Sequence, residues 1–262
     1  MKIIYFSQKG NRSHQEDAFF VDEISHNLFI VCDGVGGNVG GKLASQSTIK
    51  FLSKSFSEIT SGIIENAMIT TIFSAATKSL FDVLSGKSHH EGMATTVVLA
   101  SFTPKEVIIC HLGDSRAYVI KPSANAYWRT KDHSLVQELY DAGIITAEAD
   151  MQSHPMKNRI TGAISSSGRS DITEPSITRL DDLDPGDMIL LCSDGVLEAF
   201  PNEEFIGILF DSALSFEEKG QMIQKQCELT SRDNNTCILI ALEEGEGYSS
   251  GSNRGIEFRT IA

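Results

Sequence analysis

Long apolar runs are the first thing this sequence lacks. None approaches the roughly 20 residues that a helix needs to span a bilayer, and the opening MKIIYFSQKGNRSHQED turns polar too early for a secretory signal. The cytoplasm is therefore the expected compartment, and no membrane partner is expected. Basic residues are also in short supply: 22 against 35 acidic ones, for a formal net charge of -13. That balance argues against nucleic acid as a main partner. No proline-rich linker or internal repeat divides the chain. Five cysteines are present, yet no two are spaced C-x-x-C, which leaves little ground for zinc or thiol redox chemistry. Cys32, Cys110 and Cys192 sit inside apolar runs and Cys237 opens another, the usage of small buried thiols in a reducing compartment.

What the chain does have is 262 residues, 41% of them hydrophobic, enough for one sizeable core or two small ones. Short β-branched and apolar segments recur at 2–6, 28–32, 95–101, 106–111, 116–120, 188–192 and 236–242 and read as strands. Helical spacing predicts helices over 42–59 and 63–84, one starting after an N-cap at Ser134, and a pair over 202–210 and 216–230. Parallel sheets intersperse their helices more evenly than this order does. Antiparallel sheets with helices packed outside are the expectation.

Three of the apolar runs end on a carboxylate: FIVCDG delivers Asp33, VIICHLGD delivers Asp114 and ILLCSDG delivers Asp194. To these add the acidic pair Glu16 and Asp17, and Asp233 in SRDNNT. A strand buried along its length holds its last residue firmly. A glycine directly after it is expected to take positive φ and expose its carbonyl. Any single Asp-Gly is more often a turn than a ligand. Several carboxylates converging is another matter, because two of them about 4 Å apart repel by roughly 4 kcal/mol at an effective dielectric near 20. Such a group needs protons or a cation, and oxygen-only ligands favour Mg2+ or Mn2+ over zinc or copper.

RSHQEDA, DGVGGNVGG, MATTVV, GDSRAY, CSDGV and RDNNT occur in this order between Arg12 and Thr236. Together they resemble the metal-dependent serine/threonine protein phosphatases of the 2C type, above all the compact bacterial ones. The resemblance implies an α+β fold, a four-layer αββα sandwich of two antiparallel sheets flanked by helix pairs, with residues 1–242 as the catalytic domain. Carried over by position, Asp33 would bridge two Mn2+ or Mg2+ ions, the Gly34 carbonyl would bind one, and Asp194 and Asp233 would complete the other. Asp17 would touch the metals directly or through water, and Glu16 would hold a water beside them. Asp114, with Asp194, would hold a weaker third ion. Arg12 would bind the phosphoryl group, since its planar fork suits two phosphoryl oxygens.

The implied reaction is hydrolysis of phosphoserine and phosphothreonine in proteins, by in-line attack of a metal-activated water, opposing a serine/threonine kinase in bacterial signalling. A monomer is expected. Val35 stands where many eukaryotic relatives carry a histidine, so the leaving oxygen must take its proton elsewhere; His14 reads as a solvated loop residue. Asn38 also departs from a common histidine. Thr95 and Thr96 read as ordinary strand residues. The segment 142–169 resembles the bacterial members' flap, and Met156, Lys157 and Arg159 are its candidate substrate-selecting residues. The tail 243–262, rich in glycine and serine, is expected to be mobile or loosely docked. Two rival readings are weaker. Aspartyl-phosphate hydrolases need a second aspartate where Val35 stands, and a catalytically weak binding module would not need every carboxylate.

Overall fold

The structure is a computed structural model that describes residues 1–35, 39–59, 63–84, 93–167, 174–249 and 256–260. Asn38 and the Gly36–Gly37 pair lie outside them. The chain opens with strands β1 (Lys2–Gln8), β2 (Ala18–Val21), β3 (Leu28–Cys32) and the short β4 (Gly34–Val35). Two long helices follow, α1 (Val39–Ser57) and α2 (Asn66–Leu84). Then come β5 (Ala94–Thr95), β6 (Val97–Phe102), β7 (Val107–Leu112), β8 (Arg116–Lys121) and β9 (Ala126–Arg129). The short helices α3 (Leu135–Asp141) and α4 (Glu148–Ser153) precede β10 (Ile164–Ser165), β11 (Ser176–Leu180), β12 (Asp182–Leu183) and β13 (Met188–Cys192). The chain closes with α5 (Asp194–Ala199), α6 (Phe205–Phe210), α7 (Phe216–Thr230), β14 (Asn235–Ala241), β15 (Tyr248–Ser249) and β16 (Arg259–Thr260).

A six-stranded sheet, ordered β1-β14-β13-β8-β9-β16, faces a five-stranded one, ordered β11-β7-β6-β3-β2, with every pairing antiparallel. The strands are apolar on both sides because both sides are covered. In β3, Leu28, Ile30 and Cys32 pack under α1 and α2, while Phe29 and Val31 meet the other sheet. In β13, Ile189 and Leu191 face the opposite sheet, and Met188, Leu190 and Cys192 face α5 to α7. A side-chain period of two thus builds three stacked apolar layers, giving the αββα sandwich. Removing a central leucine from such a layer costs about 2–5 kcal/mol. The two strongest helix ends follow their sequence signals. Ser134 caps α3 by accepting from the Gln137 N–H at 3.4 Å, and Ser215 with Glu218 forms a capping box on α7.

Register decides what stands at one end of this sandwich. Ala18 pairs with Cys32, Val97 with Leu112, Cys192 with both Arg116 and Cys237, and Gln8 with Asn235. The residues just beyond those pairs, 9–17, 33, 113–115, 193–194 and 233–234, therefore share that end. A three-stranded ribbon, β10-β5-β4, lies beside them and ties Ile164 to Thr95 and Thr95 to Gly34. Beyond Leu242 the chain adds β15 against β12 and β16 against β9, with Ile256 and Phe258 packed onto the layer between the sheets. Strands β2, β9 and β11 carry too little alternation of their own to be legible in the sequence; their partners supply it.

Candidate active site

Asp33 is held through its backbone. Its N–H donates to Thr96 Oγ1 at 3.0 Å, and its carbonyl accepts from the Thr96 N–H at 2.9 Å and from Thr95 Oγ1 at 2.8 Å. Thr96 Oγ1 also pairs with Ser115 Oγ at 2.7 Å, next to Asp114. Both threonines are fully buried. They read as ordinary strand residues in sequence, yet here they clamp the carboxylate's main chain, because the segment 94–96 runs beside 33–35.

Asp17 is buried behind them. Its Oδ2 accepts from Ser193 Oγ at 2.8 Å and from Thr236 Oγ1 at 2.7 Å. Its Oδ1 is buried without a hydrogen-bond partner. Ser193 also accepts from the Thr236 N–H at 2.9 Å, locking the end of β13 to the start of β14. Asn234 organises the loop that carries the remaining groups. Its Nδ2 donates to the carbonyls of Lys9 and His14 at 2.8 and 2.9 Å, and its Oδ1 accepts from the Glu16 N–H at 2.7 Å. Glu198 on α5 receives the N–H groups of Arg232 and Asp233 at 2.9 and 3.1 Å. Thr236, Ser193, Asn234 and Glu198 had no assigned task in the sequence reading. All but Glu198 stand inside the motifs, yet the acids they hold lie far away in sequence: Ser193 and Thr236 hold Asp17, and Asn234 holds the backbone of Glu16.

The glycines act differently from expectation. Among the described glycines, φ is positive at Gly10, Gly113, Gly143, Gly186 and Gly245, not at Gly34 or Gly195. At Gly34 a Cβ would strike the backbone of Gly41, and at Gly195 the carbonyl of Asn234. Glycine follows Asp33 and Asp194 because another backbone passes too close for a side chain, not because the chain turns left-handed. Asp194 accordingly opens helix α5 rather than a turn. Gly113, at φ 115 before Asp114, is the position that needs the left-handed region.

Arg12, His14, Glu16, Asp33, Gly34, Val35, Asp114, Asn158, Ile160, Asp194, Asp233 and Asn234 line a cleft of ≈ 410 Å³ at this end; Asp17 is buried and is not part of its lining. Arg12 Nη2 donates to Asp233 Oδ2, and this hydrogen bond leads the causes that raise the guanidinium's pKa. The flap residues divide. Asn158 and Ile160 face the cleft, whereas Met156, Lys157 and Arg159 are exposed on the same segment and do not line it. The segment's far end is held by Ile160, bridged to Ser134, and by the Thr161 N–H on the His133 carbonyl at 2.8 Å.

Desolvation is the leading cause of the raised carboxyl pKa values, and neighbouring negative charge adds to it. Asp17 rises to about 7 with Asp194 and Asp233 nearby, though its two hydroxyl partners pull the other way. Asp114 rises to about 8, pushed further by Asp194 and Asp132. Asp33 moves well above the usual carboxylate range, with Asp17, Asp194 and Asp114 contributing. Asp194 rises to about 6, with Asp233 raising it and a hydrogen bond to Asp33 opposing. A hydrogen bond between two carboxyl groups requires a shared proton. Among the described residues no three acidic, histidine or cysteine side chains are gathered tightly enough to grip one cation as they stand. The donor set nonetheless fits a hard divalent ion. It is all oxygen, it is short of positive charge, and Asp17 Oδ1 lacks a partner.

Residues 7–231 match the family described as Protein phosphatase 2C. The serine/threonine phosphatase stp of Listeria monocytogenes is 32% identical over 237 residues, covering 87% of this chain and 90% of that protein. The crystal structure of the Mycobacterium tuberculosis serine/threonine phosphatase PstP/Ppp superposes with a TM-score of 0.80 at 27% identity, covering 93% of this chain and 99% of that one. The catalytic domain of the serine threonine protein phosphatase PstP, solved in complex with 2 manganese ions, gives 0.76 at 25% identity and covers 93% and 98%.

Proposed function

The chain belongs to the protein phosphatase 2C family, and from that premise we infer how its own residues carry the reaction. It is a metal-dependent protein phosphatase that hydrolyses phosphoserine and phosphothreonine. Asp33, Asp194, Asp233, Asp17 and the Gly34 carbonyl would hold two Mn2+ or Mg2+ ions, with Asp114 and Asp194 for a weaker third. The observation that carries this reading is the convergence of these carboxylates on one cleft, where burial and mutual repulsion leave them short of positive charge. Bound Mn2+ or Mg2+ supplies a Lewis acid that makes water nucleophilic near neutral pH. Arg12 stands at the mouth with a permanent charge. Only one of its nitrogens is engaged by Asp233, so the rest of the fork can take phosphoryl oxygens. Glu16 orients a water in the same cleft. Val35 has no proton to give the leaving serine or threonine oxygen, so that proton comes from water or another group in the cleft. The reading as a binding module without turnover finds no support.

EDTA should abolish turnover of p-nitrophenyl phosphate, and Mn2+ or Mg2+ should restore it. Turnover by protein that elemental analysis finds metal-free would overturn this assignment.

The substrates are phosphorylated proteins. Beyond that, we propose that the chain works as a monomer in the cytoplasm against a serine/threonine kinase. The five buried, unpaired cysteines favour a reducing compartment. No helix of the described residues is long and apolar enough to cross a membrane. We also assign substrate selection to the flap. Lys157 and Arg159 place positive charge beside an acidic cleft, where it attracts a phosphorylated segment. Alanine at Met156, Lys157 and Arg159 together should lower kcat/KM for a phosphopeptide about tenfold, roughly 1.4 kcal/mol, with p-nitrophenyl phosphate within about twofold. Equal changes for the two substrates would remove the flap from selection.

A further inference from the structure

Strand β16 lies beyond the residues that match the family, and it makes a contact that the chemistry does not use. It pairs with β9 through Arg259 opposite Tyr127 and Thr260 opposite Ala126, forming the edge of the six-stranded sheet. Phe258, next to it, packs on the layer between the sheets and lies under the Lys121 ammonium, 5.9 Å from the ring centre. Thus anchored, Arg259 reaches Glu148, the first residue of α4. Its Nη1 donates to Oε2 and Oε1 at 3.1 and 3.2 Å, and its Nη2 donates to Oε1 at 3.1 Å. Arg129 of β9 grips the same carboxylate and is itself paired with Glu203 at 2.9 Å.

Helix α4 has little else to hold it. It is six residues long, and Ala147 offers its N-terminus no side-chain acceptor. Its one buried side chain, Met151, joins only a small cluster with Val136 and Ile145, apart from the three main layers. A helix this short draws its stability from such tertiary contacts. Directly after it the chain runs through 154–157 to Asn158 and Ile160 in the cleft wall. The far end of that segment is fastened at Ser134 and His133. The near end is fastened through α4.

We propose that Arg259 is a positioning residue: by its two-pronged pair with Glu148 the C-terminal strand sets where α4 holds the flap, and so tunes the turnover of phosphoprotein substrates. The proposal rests on the flap selecting substrate. It makes the tail a part of the catalytic unit rather than an appendage. The pair is about half exposed, with relative side-chain exposures of 46% and 40%. Water and salt weaken a pair so placed, which makes the contact easy to release and easy to read by mutation.

The test uses the full Mn2+-loaded chain with Arg259→Ala, Glu148→Gln and the double variant. Arg259→Ala should change kcat/KM for a phosphopeptide about threefold or more, leave p-nitrophenyl phosphate within about twofold, and speed amide exchange across 148–160. Glu148→Gln, which also removes the Arg129 pair, should do at least as much, and the double variant should do no more than Glu148→Gln alone. Arg259→Lys, which keeps the charge without the fork, should fall between. An unchanged ratio of the two kcat/KM values in Arg259→Ala, or additive effects in the double variant, overturns the proposal. The triple alanine variant at Met156, Lys157 and Arg159 separates the two levels. If it shifts the ratio while Arg259→Ala does not, the tail's role falls and the flap's stands. If neither shifts it, both fall.

Discussion

Asp33→Asn and Asp194→Asn should each lower kcat for p-nitrophenyl phosphate about a thousandfold or more, a loss of roughly 4 kcal/mol of transition-state stabilisation. Asparagine keeps the shape of aspartate and loses its charge, so the backbone clamps of Thr95 and Thr96 on residue 33 survive. What disappears is an anionic oxygen facing the cation, replaced in part by an amide that donates where an acceptor is needed. The fold should not suffer, because the change removes a carboxylate that burial and its neighbours already disfavour. Asp114→Asn should cost far less, since that group is proposed only for the weaker third ion. The measurement is kcat at saturating Mn2+, with melting temperatures to exclude misfolding. Near-normal turnover in either of the first two variants would show that the hydrolytic site lies elsewhere.

The second large effect concerns stability and pH in metal-free protein. Asp17, Asp114 and Asp194 have folded-state values of about 7, 8 and 6, against an ordinary 3.8. The folded chain therefore holds protons that the unfolded chain has released. Stability is highest while these groups stay protonated and falls as pH rises from the ordinary carboxylate value to each folded value, by about 1.4 kcal/mol per pH unit for each such proton, and levels off above it. The buried His111, lowered to about 4 mainly by desolvation, and His133, lowered for the same leading reason, work in the opposite sense. They lose stability as pH falls below about 6.5. The clean window is thus pH 7 to 8.5, where both imidazoles are largely neutral. In EDTA the melting temperature should drop across that window, chiefly through Asp33 and Asp114, and the drop should shrink in Asp114→Asn. Millimolar Mn2+ should abolish it, adding about 2.7 kcal/mol when the ion is at a hundred times its Kd. A flat profile in EDTA would mean that the carboxylates ionise without penalty.

The sequence by itself determined the layers and the chemistry's raw material. Strands such as 28–32 and 188–192 are apolar at every position, which only coverage on both faces explains. Antiparallel sheets with helices outside follow from the element order. The acids at the strand ends were legible for the same reason, since a turn signal after a buried run is local information. Tertiary structure alone decided the rest. Asp17 takes hydroxyls from Ser193 and Thr236, 176 and 219 positions away, and no local pattern encodes which hydroxyl meets which acid. The glycines after Asp33 and Asp194 look like turn formers in sequence and prove to be gaps for a passing backbone, because steric clearance depends on a segment far along the chain. Adjacent flap residues such as Asn158 and Arg159 differ only in which way the segment faces once its ends are fastened. The tail's composition suggested a loose end. Its few apolar residues, Ile256 and Phe258, pack on the layer between the sheets, and that burial with two backbone pairings is enough to dock a short strand on β9.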